Sequence, residues 1–387
     1  MVDFAVIGGG PVGLLCALAL RRLGRSVTLI ERHASLRRET RSIGVHAASL
    51  ARIHQLGLLD QFLARGVRIE RGLAFGSRGR LGAIDFRLAS SSFGYALSIP
   101  QPQTETLLER AGRVAGVRMR RGATVVGLAQ RRDHVEVDHA RGSERRILTA
   151  RYLLACDGAN SSVRTLLGIA APKQRLPGSY VMAEFPNTPA LGHDACIYLT
   201  DHGLVESFPL PADRRRWVVE APTRRDRVDL TELCAWVWQR TGHILEPDAG
   251  TQASAFGLVQ ALADRFRCGR VLLLGDAAHV LSPFGGQGMN LGWLDAFALA
   301  DLVDVHWRDV GLDDRVLDGW ACSRKRAAKS ALRQAAWNTR IGRRTALPRA
   351  RNALVRVALA GSLAKVWSRR FAMLSLDYPR AASSMKP

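Results

Sequence analysis

Lysine is scarce in this 387-residue chain: of 56 basic residues, only Lys173, Lys325, Lys329, Lys365 and Lys386 are not arginine. A formal charge of +22 would ordinarily point to nucleic acid or an anionic membrane surface as a partner. Here the arginines are spread over the whole chain, a skew that coding bias alone can produce. No zinc-finger spacing or RGG tract accompanies them, so nucleic-acid binding is set aside. Cysteine is sparse as well. Cys16, Cys156, Cys196, Cys234, Cys268 and Cys322 form no C-x-x-C pair, which argues against a zinc ribbon, a dithiol redox pair or a disulfide framework and fits reduced thiols. No cluster with metal-ligand spacing is present. Uninterrupted apolar runs long enough to span a bilayer are missing. The start, from Met1 to Asp3, lacks the basic region and cleavage site of a signal peptide. A cytoplasmic location is expected.

What is present suits a globular protein with a large core: 47% of residues are hydrophobic and 23% charged. The length exceeds the usual size of one core and predicts two domains, with room for a helical appendage. Phe4-Ala5-Val6-Ile7 reads as a buried strand ending in glycines. Leu14 to Leu23 follow at helical spacing, and Ser26 to Ile30 form a second strand, giving a βαβ opening. Alternation from Thr124 to Asp157 predicts antiparallel strands that return to the main sheet. Residues from about 172 to 267 mix short strands (Tyr180 to Glu184, Leu204 to Pro209, Arg216 to Glu220) with one helix from Leu230 to Arg240. They read as a separate sheet domain. Val271 to Leu274 is another core strand, Met289 to Val303 is helical, and beyond Asp318 the pattern is helical and basic.

Three motifs carry the chemistry. Gly8-Gly9-Gly10-Pro11-Val12-Gly13 stands between strand and helix, with Glu31 at the end of the second strand. Glycines at these positions let the backbone turn and approach a pyrophosphate at a helix N-terminus, while an acidic residue receives ribose hydroxyls. The strand, helix and Glu31 together make this a dinucleotide site, without distinguishing NAD from FAD. Asp157-Gly158-Ala159-Asn160-Ser161-Ser162-Val163-Arg164 follows a strand in the form D-G-x-x-S-x-x-R. Gly275-Asp276-Ala277-Ala278-His279 is followed by Pro283 and by Gly285-Gly286-Gln287-Gly288-Met289-Asn290.

In this order and spacing, the motifs resemble those of FAD-dependent monooxygenases that share the fold of para-hydroxybenzoate hydroxylase, including ubiquinone-pathway and aromatic-polyketide hydroxylases. Arg41-Ser42-Ile43-Gly44 and Pro100-Gln101-Pro102-Gln103-Thr104-Glu105 add to the likeness, which covers most of residues 1 to 320. The resemblance implies an α/β fold: a Rossmann-type FAD-binding domain (1–70, 101–171, 268–318), an inserted mixed-sheet substrate domain (71–100, 172–267) and a C-terminal helical segment (319–387). It implies FAD held by Gly8, Gly10, Gly13, Glu31, Arg41, Gln101, Asp157, Asp276, Pro283, Gly286, Gly288, Met289 and Asn290. Asp276 would accept ribityl hydroxyls, and the amides of the helix after it would face the flavin pyrimidine edge. Two plainer roles stay open: a surface ion pair for Arg41 and a helix N-cap near Ser161 for Asp157.

The implied reaction uses NADPH or NADH as a transient co-substrate and O2, through a flavin C4a-hydroperoxide, to hydroxylate a phenolic or similar small molecule. A Baeyer-Villiger or epoxidising variant, or a non-catalytic FAD-binding subunit, is the alternative. Halogenation is disfavoured because Trp236-Val237-Trp238-Gln239-Arg240-Thr241 lacks the I-P continuation of halogenases and the first lysine is Lys173. No catalytic base is visible; His46 reads as a packing residue or a phosphate contact, and His279 as structural. Candidates for the aromatic substrate's pocket are Tyr95, Tyr180, Tyr198, His202, Glu206, Trp217 and Phe284.

The basic C-terminal segment, Ala321 to Leu376, has fourteen Lys or Arg and no Asp or Glu. At about 100° per residue, Lys325, Arg326, Lys329, Arg333, Arg340, Arg343 and Arg344 share one arc. Trp320, Ala327, Ala331, Ala335 and Ile341 lie opposite, with Arg324 intruding among them. The preferred reading packs the apolar face on the FAD domain and solvates the basic one. The other is a peripheral membrane contact through this segment.

Overall fold

The computed structural model describes residues 1–36, 42–89, 92–223, 228–309 and 311–376. The apolar run Val2–Ile7 forms the strand around which the first sheet is built. It pairs in parallel with Val27–Glu31 on one side and with Glu144–Ala155 on the other. Val271–Leu273 and Arg118–Arg121 extend this parallel array outward. Strands buried on both faces read as continuous hydrophobic runs, and Phe4 to Ile7 are all at most 4% exposed. Pro11–Arg22 is the crossover helix of the predicted βαβ unit, with Pro11 in its first turn, where the missing N–H costs nothing. Helices Gln101–Val114 and Gln287–His306 pack against it. The strands Thr124–Gln130 and Val135–Arg141 run antiparallel and return to the main sheet along Glu144–Ala155, as the alternation predicts.

A second sheet of eight strands is almost wholly antiparallel. In spatial order it runs His279–Val280, Ser254–Leu262, Lys173–Pro186, Arg214–Ala221, Gly203–Leu210, Ala195–Thr200, Arg71–Gly76 and Gly79–Asp85. The strands expected around Tyr180, Leu204 and Arg216 all lie within it, and the expected helix spans Leu230–Thr241. Ala96–Ser98 joins neither large sheet; it pairs with Gly44–Val45 and Val67–Ile69.

Asp313 caps the long helix Asp314–Gly342 by accepting from the Arg315 amide at 2.7 Å. Its buried stripe, Leu317, Trp320, Arg324, Ala328, Ala331, Ala335 and Thr339, recurs every three or four residues and lies on Gln287–His306 and on the second sheet's edge. Fully burying a side chain such as Leu317 contributes about 1.5–3 kcal/mol. This packing covers the apolar arc of this helix and leaves Lys329, Arg333 and Arg340 in solvent, the arrangement of the preferred reading. The intruding Arg324 has a partner: its Nε lies 2.8 Å from Asp295 Oδ1 in a fully buried ion pair. Two further helices, Pro348–Ala358 and Gly361–Phe371, fold back over the second sheet. No helix among the described residues is long and apolar enough to cross a membrane.

Candidate functional site

The glycine loop has little steric freedom. Gly8 has φ +106°, and a Cβ there would come within 2.3 Å of the Cys156 carbonyl oxygen. A Cβ on Gly13 would lie 1.9 Å from the Gly8 oxygen. These two glycines let strand, loop and helix close on one another. Gly10 differs: nothing lies within 4 Å of its Cβ position, so it borders open space at the N-terminus of Pro11–Arg22. Glu31 Oε2 accepts from the Gly9 amide at 2.6 Å and Oε1 from the His33 amide at 2.8 Å, fastening the loop to the end of the second strand.

Asp157 takes the helix-start role. Oδ2 accepts from the Val163 amide at 3.1 Å and from Ser162 Oγ at 3.2 Å, while Ser161 is the N-cap proper, accepting from the Arg164 amide at 3.0 Å. Oδ1 of Asp157 is buried with no partner. Gln101 clasps the loop that follows Arg41: its Oε1 accepts from the Ser42 amide at 3.1 Å, and its Nε2 donates to Glu105 at 2.8 Å. Arg41 itself lies outside the described residues.

Asp276 lies in a single helical turn, Gly275–Ala277, that a buried network holds from behind. Asp295 Oδ2 lies 2.6 Å from His279 Nε2 and accepts from the Gly275 amide at 3.3 Å, while Oδ1 takes the Arg324 guanidinium. Burial opposes the charge on Asp295, but His279 and Arg324 together hold its carboxyl below the ordinary value. His279 is thus spent on structure. Asn290 faces away from the cavity: Oδ1 accepts from the His46 amide at 2.9 Å, and Nδ2 donates to the Gly44 and Gly286 carbonyls at 2.8 and 2.9 Å. It fastens the turn before Gln287–His306 to the Gly44 loop. Burial lowers the pKa of His46, whose Nε2 lies 2.8 Å from the Gly285 carbonyl oxygen. The ring bridges these loops at the cavity wall.

Gly8, Gly10, Glu31, Gln101, Asp157, Asp276, Pro283, Gly286, Gly288 and Met289 line one cavity of about 1010 Å³. Beyond Met289 it opens onto the inner face of the second sheet, where Phe284 and Glu206 lie among its walls. The other pocket candidates do not reach it. Side chains alternate along a strand: Ile197, Leu199, Arg216 and Val218 face the cavity, so Tyr198 and Trp217 face the other way. Tyr198 stacks on Phe75 with centroids 4.9 Å apart, and its hydroxyl meets His243 at 2.9 Å. Tyr180 lies behind Phe284, edge-on at 4.7 Å. Tyr95 is held against Arg68, and His202 lies beside Glu220 and Arg240, in a small separate recess. Sequence patterns missed the opposite wall, which Trp337, Ile341, Leu354, Leu359, Trp367 and Phe371 supply from the three C-terminal helices. Nor did they single out Gly292, where a Cβ would meet Val12 at 2.5 Å; a glycine in a helix interior is the signal that could have found it.

The arrangement fits a bound dinucleotide. The Cβ positions of Gly10 and Gly288 are both open, at the N-terminal ends of two helices, and Asp157 offers an unused buried oxygen. Helix N-termini favour negative charge, as a pyrophosphate or a reduced flavin ring carries. The class of protein these features define is a dinucleotide-binding protein. The chain belongs to the FAD binding domain family, whose profile matches residues 1–335, and FAD is its cofactor. It is 36% identical over 329 residues to the rifampicin monooxygenase of Streptomyces venezuelae, covering 83% of this chain and 66% of that enzyme. The chain thus spans slightly less than two thirds of that relative's length. Its fold matches the OxyS anhydrotetracycline hydroxylase of Streptomyces rimosus with TM-score 0.77 and 28% identity, over 99% of this chain and 78% of that one. It also matches p-nitrophenol 4-monooxygenase of Pseudomonas putida with TM-score 0.85 and 24% identity, over 98% and 99% of the two chains, a likeness of fold alone.

Proposed function

We propose that this protein is an FAD-dependent monooxygenase that uses NAD(P)H and O2 to hydroxylate a phenolic or other electron-rich aromatic small molecule. The observation that carries the reading is the continuity of the cavity, from the glycine loop past Asp276 and Met289 to an apolar sheet face. Relatives named as monooxygenases of rifampicin and tetracycline compounds support it.

Gly8, Gly10 and Gly13 would admit the pyrophosphate, Glu31 the ribose, and Asp157 and Asp276 the ribityl chain. The amides that open Gln287–His306 would face the ring's pyrimidine edge. When bound and reduced by NAD(P)H, the flavin supplies the activated oxygen. The chain's own residues do the rest. Phe284 and the apolar sheet face place an aromatic ring beside the Pro283–Met289 turn. The three C-terminal helices close the far side and, with cofactor and substrate filling the cavity, would keep water from a reactive intermediate. With no second dinucleotide fingerprint, NAD(P)H is read as a passing visitor. In this reading residues 71–100 and 172–267 form the substrate domain.

The test is a steady-state assay on the FAD-loaded protein with a panel of phenols and hydroxylated polycycles. Accelerated NADPH or NADH oxidation, with label from 18O2 in the product, is expected. Conversion without label, or peroxide as the sole product with every compound, overturns the monooxygenase reading.

A further inference from the structure

Five strands of the second sheet place one residue each in a single row across the cavity wall: Ala74, Ile197, Glu206, Val218 and Met182. Paired positions on adjacent strands project to the same face. Four of the five are apolar. On its own strand Glu206 is flanked on that face by Leu204 and Phe208, which also line the cavity. The carboxyl is thus set among apolar neighbours along and across the strands, and the residue is only 6% exposed.

Among the described residues no hydrogen bond or ion pair reaches this carboxyl. Arg216, the cation on the same sheet face, holds Glu184 instead, Nη2 to Oε1 at 2.5 Å. The carboxyl opens onto the chamber and not onto a protein partner, and an apolar side chain would complete the row without the cost of desolvating a polar group. Fold stability therefore gives no reason for a carboxyl at this point, whereas a ligand in the chamber does.

We propose that Glu206 is a specificity-determining residue that hydrogen-bonds a hydroxyl of an uncharged phenolic ligand in the middle of the apolar sheet face. The inference rests on the reading of this chamber as the substrate site. Burial pushes the Glu206 pKa up to about 8, so near neutrality the group is mostly a neutral acid, with an O–H to donate and a carbonyl oxygen to accept. A phenol matches it through its own hydroxyl. An aryl carboxylate does not, because it brings a charge into a wall whose cation is already taken.

The experiment measures dissociation constants from the change in flavin absorbance of the FAD-loaded protein, for 2-naphthol, naphthalene and 2-naphthoate. The variants are E206M, whose unbranched side chain approximates the shape of Glu, and E206Q, which keeps hydrogen-bonding capacity. Wild type is expected to prefer 2-naphthol to naphthalene by about tenfold, the worth of one such hydrogen bond, and to bind 2-naphthoate more weakly than 2-naphthol. E206M should bring the naphthol-to-naphthalene ratio close to one, with FAD content kept and Tm equal to or above wild type; E206Q should restore most of the preference. A wild type indifferent to the hydroxyl, or an E206M protein that keeps the wild-type ratio, overturns the proposal. Because the readout is binding, naphthol recognised but never oxygenated would sink the reaction and leave Glu206 standing. Oxygenation with an unchanged ratio in E206M would do the reverse.

Discussion

The two ends of the cavity are built by different means. At the glycine-loop end, backbone approaches the space directly: Gly8, Gly9 and Gly10 at one helix start, and Gly285, Gly286 and Gly288 at another. The side chains that matter there, Glu31, Gln101 and Asp157, are largely occupied in holding backbone amides. At the sheet end, side chains make the surface, and they come from elements far apart in sequence, from Ala74 to Phe371. Damage at the first end should therefore act through the fold or the cofactor, and damage at the second through ligand choice.

The predictions that break or sharpen this contrast are ordered by their effect on the folded state. The largest is Gly13→Val. With even a Cβ placed 1.9 Å from the Gly8 oxygen, the first helix cannot dock on the strand. Loss of cooperative thermal unfolding and of bound flavin is expected; a yellow, cooperatively melting variant would contradict the packing described. Next comes Arg324→Ala, which leaves Asp295 as a buried charge with only His279 beside it. Breaking such a pair costs about 3–5 kcal/mol, to be read from urea unfolding. Flavin affinity should fall too, since Asp295 also holds the Gly275 amide.

Glu206 gives a smaller and pH-dependent effect, smaller because its carboxyl faces a cavity that water can enter. Its folded pKa, about 8, stands above the ordinary 4.5. The unfolded chain thus loses this proton first as pH rises, and the native state binds more protons between those values. Stability contributed by the neutral acid is present below about pH 4.5 and is lost progressively as pH rises toward 8. E206M should lack this slope, so its advantage over wild type in unfolding free energy grows across that window; parallel pH profiles would exclude the raised pKa. Smallest in stability, and confined to the cofactor, are Gly10→Val and Asp157→Asn. Both should melt near the wild-type temperature yet hold FAD at least about tenfold more weakly, a loss of roughly 1.4 kcal/mol. Flavin retention on gel filtration checks this.

Legibility in sequence followed the same divide. The glycine loop, Glu31, Asp157 and the Gly275–Asn290 stretch were readable because each is a local device, a turn or helix start whose residue types are dictated within a few positions. Asn290 shows the limit: its place in the motif was legible, but its inward clasp on Gly44 and His46 depends on a loop some 240 residues away. Tyr198 and Trp217 were plausible pocket residues by composition, and the phase of strand alternation turned both to the opposite face. The stray Arg324 blurred the amphipathic pattern of its helix until Asp295, from another helix, accounted for it.

The sequence by itself determined the βαβ opening, the dinucleotide loop and the order of the FAD motifs, because these rest on backbone conformation and nearest neighbours. Only the tertiary structure decided which side of the second sheet faces the flavin site and that the C-terminal helices wall the chamber. It alone left Glu206 unpartnered in the middle of an apolar row. Those outcomes depend on strand register and on packing between segments hundreds of residues apart, and no local pattern along the chain encodes either.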